Sequence, residues 1–344
     1  MQWKRTLTVV GCHAEGEVGN VVTGGVGHIP GDTMFDKKRY LETNLDGLRK
    51  LLLFEPRGAA VHCANIVLPS NNPKAAMGYI ILEAEECPPM SGSNTMCVAT
   101  VLLETGMLAM QEPVTRLTLE APGGLIDVVC QCRDGKVTQV KFTNVPSFVY
   151  HIDIPIEVEG VGTISVDVAY GGMTYALADA KGLGFEITPD EARDLCVLGE
   201  KIKAAADDQL ETVHPENPEI RGITQTEFMG PLHKDGEQLT ARNAVVVKPG
   251  RLDRSPCGTG TSARLAVMHA KGLISPGQIF DHVSIIGSHF FGEIEDTTTL
   301  DDKPAVITSV AGQAWISFIS QHGLAPTDPF PQGYTLSDTW LRAI

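Results

Sequence analysis

Two stretches of this chain, offset by 166 residues, repeat one another: Ser91-Gly92-Ser93-Asn94-Thr95 and Cys257-Gly258-Thr259-Gly260-Thr261. Superposed without a gap, Gly92 meets Gly258, Thr95 meets Thr261, Val101 meets Val267 and Gly106 meets Gly272, whereas at the head Ser91 faces Cys257. Each turn runs into a mostly apolar segment that stops at a glycine suited to the left-handed position after a helix. In Met96-Cys97-Val98-Ala99-Thr100-Val101-Leu102-Leu103 apolar residues surround the whole cylinder, so this helix needs enclosure rather than a surface. The second run, from Ala263 to Ala270, is less uniform but also mostly apolar. The repeat therefore predicts an α+β protein with two pseudo-symmetric, strand-rich domains, each wrapped around a central helix.

A chain of 344 residues exceeds the size at which one core usually stops growing, in keeping with two domains. Chain termini often lie close together, so the expected division is 1–125 plus about 313–344 around Ser91, and 126–312 around Cys257. Period-two patterning predicts strands near 6–10, 59–68, 78–82, 116–120, 126–130, 136–143, 148–154, 162–168, 244–247, 282–286 and 305–310. The 35 glycines and 21 prolines punctuate them. Helical periodicity occurs at 40–53 and 189–206 and after the two repeated turns.

Composition excludes several classes of function. A formal net charge of −15 speaks against nucleic acid or an anionic membrane as partner, because phosphates are held by dense Lys and Arg. No apolar stretch reaches the roughly 18 residues of a membrane span. Met1-Gln2-Trp3-Lys4-Arg5 precedes only a brief apolar patch, without the length or cleavage site of a signal peptide, and the expected location is cytoplasmic. The eight cysteines are scattered and read as reduced thiols. Cys130 and Cys132 share a strand face but lack the second pair of a zinc site, and the histidines show no HExxH spacing, so no metal is expected.

The repeated turns carry chemistry. A helix start has unpaired backbone N–H groups and the positive end of the macrodipole, and two such starts can grip one small carboxylate. At such a position a cysteine thiol, ordinarily near 8.5, is expected to fall toward neutrality, so Cys257 is a candidate base. Serine has no comparable route to an anion. Ser91 taken alone reads equally as a helix N-cap.

Met90-Ser91-Gly92-Ser93-Asn94-Thr95 and Asp253-Arg254-Ser255-Pro256-Cys257-Gly258-Thr259-Gly260 resemble the two active-site motifs of the proline racemase family. The resemblance extends through His13-Ala14-Glu15-Gly16-Glu17, Val22-Thr23-Gly24-Gly25, Glu55-Pro56-Arg57-Gly58, Tyr170-Gly171-Gly172, Ile285-Ile286-Gly287-Ser288 and Asp328-Pro329-Phe330-Pro331. It implies a diaminopimelate epimerase-like fold with the active site between the two domains and no cofactor. Family members that racemise proline or epimerise 4-hydroxyproline generally carry cysteine at both motif heads, commonly with Cys-Gly-His in the first. This chain has Ser91 and Ser93 instead, which resembles the family's trans-3-hydroxy-L-proline dehydratases, with serine or threonine at one of the two catalytic positions.

The resemblance implies Cys257 as the main acid/base and Ser91 as a proton relay or leaving-group partner, with the family's assignments also permitting Ser91 as proton acceptor. Asp253 would contact the ring nitrogen of an imino acid, and Gly92, Ser93, Gly258 and Thr259 would hold its carboxylate. Two alternatives stay open: a 4-hydroxyproline 2-epimerase, and a non-catalytic imino-acid binder. A homodimer is compatible with the sequence.

Overall fold

The computed structural model describes residues 4–236 and 238–341. Met1, Gln2 and Trp3, on which the leader reading partly rests, lie outside the described residues, as does the tail 342–344 of the expected first domain.

In chain order the elements begin with strands β1 (Arg5–Ala14) and β2 (Glu17–Gly24), helices α1 (Met34–Asn44) and α2 (Asp46–Leu53), and strands β3 (His62–Leu68) and β4 (Met77–Leu82). Helix α3 (Gly92–Glu104) follows, then β5 (Val114–Ala121), β6 (Gly124–Arg133) and β7 (Lys136–Thr143). Next come β8 (Ser147–Val158), β9 (Gly162–Tyr170), β10 (Thr174–Asp179), α4 (Ala192–Gln209) and the small hairpin β11 (Val213–His214) and β12 (Asn217–Arg221). The remainder is β13 (Gln225–Met229), β14 (His233–Asp235), β15 (Gln238–Val247), β16 (Arg251–Leu252), α5 (Gly258–Ala270), β17 (Ile279–Val283), β18 (His289–Leu300), β19 (Lys303–Gly312) and β20 (Ala314–Leu324).

Two compact units result: Met1–Phe142 with Gly312–Ile344, and Thr143–Ala311. The division falls at 142/143 rather than at 125/126. Strand β6 pairs with β5 from Val114 to Ala121 and with β7 along its other edge, so a cut at 125/126 would sever a continuous antiparallel ladder.

Within the first unit the strand order is β20-β1-β2-β3-β4-β5-β6-β7; β2–β3 and β4–β5 are parallel and the other pairs antiparallel. Within the second it is β8-β9-β10-β13-β15-β17-β18-β19, with the parallel pairs again third and fifth in the series. Strand β19 also pairs with β8, closing this series of eight strands into a barrel. The parallel pairs need crossovers, and helices supply them in the same order: α1–α2 and then α3 in one unit, α4 and then α5 in the other. The repeat seen in the sequence is thus a repeat of topology.

Helices α3 and α5 are buried on nearly every side. In α3 every residue from Gly92 to Leu103 is buried; in α5 burial runs from Gly258 to Met268. Leu102 is fully enclosed, and its replacement by Ala is expected to cost about 2–5 kcal/mol in urea unfolding. Conversely, α1–α2 and α4 are one-sided: Leu41, Leu48 and Leu52 pack on Ile66 and Ile80, and Leu195 and Ile202 pack on Phe228 and Val246.

The structure extends the sequence expectations. The helix expected at 40–53 begins at Met34, because Thr33 and Asp36 form a reciprocal capping box, and it is interrupted at Leu45. The helix expected at 189–206 opens with a capped turn, Thr188 with Glu191, and runs to Gln209. Strands β2, β10, β11, β12, β13, β14, β16, β18 and β20 escaped the patterning. In β18 the exposed positions mix His289 and Phe291 with Glu295, Asp296, Thr297 and Thr299, and β20 has a largely exposed face.

Candidate active site

The two repeated turns start α3 and α5 as expected, but their backbones differ at the head residue. Ser91 is extended (φ −152°, ψ 123°), whereas Cys257 is left-handed (φ 66°, ψ 110°), a conformation costly for a residue with a Cβ. Downstream the turns match. Thr95 donates from both N–H and hydroxyl to the Ser91 carbonyl (3.0 and 2.7 Å), and Thr261 does the same to the Cys257 carbonyl (2.8 and 2.7 Å). Each threonine hydroxyl is locked from behind, Thr95 by the Tyr79 hydroxyl at 2.6 Å and Thr261 by His282 Nδ1 at 2.8 Å. Both helix starts therefore present a rigid first turn, with the N–H groups of Gly92 and Ser93, and of Gly258 and Thr259, at the positive end of the dipole.

Ser91 occupies the N-cap position of α3 but makes no side-chain cap bond. Its Oγ instead accepts from Asn94 Nδ2 at 2.9 Å, and Asn94 Oδ1 in turn accepts from Asn65 Nδ2 at 2.7 Å. The capping role weighed from sequence is thus not how the hydroxyl is used. Gly19 makes room for this amide: a Cβ there would lie 2.7 Å from Asn94 Oδ1.

Around Cys257 the setting is denser. Its Sγ lies 3.3 Å from the Tyr175 hydroxyl and 3.7 Å from Thr259 Oγ1, and those two hydroxyls are 2.5 Å apart. Asp253 is buried rather than a surface turn carboxylate. Its Oδ1 accepts from the Ser255 N–H and hydroxyl, both at 2.8 Å, and Ser255 Oγ accepts from the Cys257 N–H at 3.1 Å. The carboxylate and the thiol are therefore tied to one short loop.

The expectation that the helix start lowers the Cys257 thiol is overturned. Burial pushes it well above the usual thiol value and the Asp253 carboxylate raises it further, outweighing the Tyr175 hydroxyl, the Gly260 N–H and the Thr259 hydroxyl, which act the other way. These surroundings favour the protonated thiol over the thiolate.

Sequence reasoning missed what lies behind that turn. Position 260, aligned with Asn94, is glycine, and a Cβ there would come within 2.9 Å of Glu227 Oε2 and 3.3 Å of Cys257 Sγ. Glu227, on β13, is fully buried, with the Asn243 side-chain amide as its neighbour. The neighbouring His282 Nε2 stands 3.5 Å from Glu227 Oε1, and the guanidinium of Arg264 stands 4.0 Å away at Nη1. Burial raises its carboxyl to about 8 despite the Arg264 charge, so it is mostly neutral at pH 7. Arg264 Nη1 lies 3.2 Å from His282 Nε2 and can only donate, so Nε2 accepts and Nδ1 carries the hydrogen given to Thr261. Burial holds His282 well below its ordinary value, in agreement with this neutral tautomer. Tyr175, Glu227 and His282 come from separate strands and have no local signal, whereas Asn94, Ser255 and Thr261 lay inside the quoted motifs.

Cys130 and Cys132 are both buried on β6, with Cys132 Sγ 3.6 Å from Thr115 Oγ1. Among the described residues, no group of three or more His, Cys, Asp or Glu side chains is placed to hold a metal ion, and no helix is long and apolar enough to cross a membrane.

A fold of two like units, each with a glycine-rich turn opening an enclosed helix, together with one thiol and one hydroxyl at the heads, can be compared with known proteins. The proline racemase family model matches residues 9–335. A hydroxyproline epimerase from Agrobacterium vitis, crystallised with trans-4-hydroxy-L-proline, is 42% identical over 99% of this chain and 98% of its own, with a TM-score of 0.92. A probable proline racemase from Agrobacterium radiobacter K84, with bound carbonate, is 39% identical over 97% of this chain and 98% of its own, TM-score 0.91. At 13% identity, a phenazine biosynthesis protein of the PhzF family from Bacillus anthracis shares the fold alone, with a TM-score of 0.55 over 94% of this chain and 99% of its own. The chain belongs to the proline racemase family.

Proposed function

We propose that this protein dehydrates trans-3-hydroxy-L-proline to Δ1-pyrroline-2-carboxylate without a cofactor, with Cys257 as the acid/base. The observation that carries this reading is the inequality of the two motif heads, a thiol at Cys257 and a hydroxyl at Ser91, in otherwise matched turns. Reversible epimerisation exchanges the roles of acid and base between the two faces of the α-carbon, which favours groups of similar strength. A serine and a cysteine are badly matched.

Dehydration asks less. In the trans-3-hydroxy-L isomer the α-hydrogen and the 3-hydroxyl lie on the same face of the ring, so one group can serve both. The Cys257 thiolate takes the α-proton, and the C–H electron pair becomes the Cα=C3 π bond as the C3–O bond breaks. The thiol then gives its proton to the departing hydroxide, leaving water, a regenerated thiolate and an enamine that tautomerises to the cyclic imine. Backbone N–H groups of Gly92, Ser93, Gly258 and Thr259 would stabilise charge developing on the substrate carboxylate.

The raised thiol gives Asp253 a second role in this reading. Burial first and the Asp253 charge second hold the proton on Cys257. A cationic ring nitrogen bound by Asp253 would neutralise that charge and remove the second of these causes, shifting Cys257 toward the thiolate when substrate is present.

A second reading, 4-hydroxyproline 2-epimerase, is favoured by the 42% identity to a hydroxyproline epimerase solved with trans-4-hydroxy-L-proline. Incubation of the purified protein with each hydroxyproline isomer in deuterium oxide, followed by NMR, separates the two. Loss of trans-3-hydroxy-L-proline with appearance of the cyclic imine supports the lyase; a deuterated 4-hydroxyproline epimer as the main product supports the isomerase and would displace the first reading.

A further inference from the structure

The bond between Asn94 and Ser91 has a direction that can be worked out from the backbone. A main-chain carbonyl can only accept, and Asn65 Nδ2 reaches the Asn20 carbonyl oxygen at 3.4 Å as well as Asn94 Oδ1 at 2.7 Å. Turning Asn65 over would set its oxygen against that carbonyl. With the Asn65 amino group fixed, the Asn94 atom facing it must be oxygen, and the Asn94 amino group faces Ser91. Asn65 and Asn94 are 0% and 1% exposed, so the two amides are shielded from solvent. Ser91 Oγ therefore accepts, and its own hydrogen is directed to a partner other than Asn94.

We propose that Asn94 is a positioning residue that makes Ser91 a proton donor rather than a proton acceptor, and thereby sets how much epimer the protein releases beside the dehydration product. An N–H aimed at Oγ stabilises the negative charge that grows there as the hydroxyl gives its hydrogen away, and opposes protonation of the same oxygen. In the epimerising step the Cys257 thiolate takes the α-proton, the α-carbon electron pair left by that C–H bond forms a bond to the Ser91 hydrogen, and the O–H pair stays on Oγ beside the Asn94 N–H; exchange with water then returns a proton to the alkoxide and removes the one held by the Cys257 thiol, with no net change in the water. Dehydration through Cys257 calls on no proton from Ser91. At the aligned position of the second turn, Gly260 supplies only its backbone N–H and no side-chain amide, and the thiol also faces the Tyr175 and Thr259 hydroxyls. The inference rests on the reading that Ser91 and Cys257 act on a hydroxyproline.

The test uses full-length protein carrying Asn94→Ala, Asn94→Asp or Ser91→Ala, with trans-3- and trans-4-hydroxy-L-proline in deuterium oxide and both products followed by NMR. The expected result is a fall of about tenfold or more in the ratio of epimerisation to dehydration kcat for Asn94→Ala, as befits loss of one hydrogen bond to a developing charge. Asn94→Asp should lower the ratio further, since a carboxylate takes the Ser91 hydrogen for itself. Ser91→Ala, which disturbs no cap bond, should abolish the epimer even if an Asn94 variant does not fold. Equal losses of both activities, an unchanged ratio, epimer formation by Ser91→Ala, or no deuterated epimer from a wild-type protein that dehydrates trans-3-hydroxy-L-proline would each overturn the role of Asn94. Wild-type protein inert toward both substrates would instead sink the functional reading on which it rests.

Discussion

The turn at Ser91 and the turn at Cys257 share a topology, a helix and a threonine latch, yet they prepare their head residues in opposite ways. Ser91 is extended and only half-buried, and it receives an amide N–H from Asn94. Cys257 is buried and left-handed, has Tyr175 and Thr259 against its sulfur, and has a neutral carboxylic acid behind it in the gap left by Gly260. The difference shows that a duplicated scaffold fixes where the backbone N–H groups point, while a few side chains behind each turn decide what the head residue can do. Asn94 against Gly260 is the clearest instance, one alignment position with two electrostatic environments.

Several variants would break or sharpen this contrast. The largest effect is expected for Cys257→Ser, which should lower dehydration kcat by about 10³-fold or more, because a hydroxyl cannot take the place of a thiolate base. A smaller loss would mean that another group takes the α-proton. Asp253→Asn should lower kcat/KM by about 10²-fold through loss of a charge-assisted contact to the ring nitrogen. Its signature is that free-enzyme Cys257 becomes easier to ionise, so alkylation by iodoacetamide, read by peptide mass spectrometry, should be faster than in wild type at the same pH. Slower or equal alkylation would contradict the assigned effect of Asp253 on the thiol.

Glu227→Gln probes the far side of the same turn and should act mainly on stability. The folded-state carboxyl is raised to about 8 from an ordinary 4.5, so the unfolded chain loses its proton first. Stability linked to this group is fully present below about pH 4.5 and is lost as pH climbs toward 8. His282, lowered by burial, acts with the opposite sign and costs stability as pH falls through its ordinary value of 6.5. Urea midpoints measured from pH 5 to 8 should therefore decline more steeply for wild type than for Glu227→Gln. Parallel curves would show that Glu227 is ionised throughout. The mildest expectation concerns the wild-type protein: substrate-free Cys257 should alkylate slowly at pH 7 and speed up only above the ordinary thiol range.

The sequence made the duplicated architecture legible because the two apolar helices leave no alternative to enclosure, and the strand series around them alternates clearly in most places. Strands such as β18 and β20 were illegible because their outward faces are polar or mixed. At the site, Ser91, Cys257, Asp253 and the glycine-rich turns all lay in contiguous motifs and could be named. Tyr175, Glu227 and His282 could not, since strands remote in sequence bring them to one place. Nor could the ionisation of Cys257: helix position is visible in a sequence, whereas the burial and the neighbouring Asp253 charge that outweigh it are not.

The central claim is that the unequal heads decide the reaction, and Ser91→Cys tests it most directly. With both substrates in deuterium oxide, the ratio of 4-hydroxyproline epimerisation to trans-3-hydroxy-L-proline dehydration should rise by about tenfold or more over wild type, as two thiols supply a matched acid and base. A folded Ser91→Cys protein whose ratio stays at the wild-type value would contradict the account.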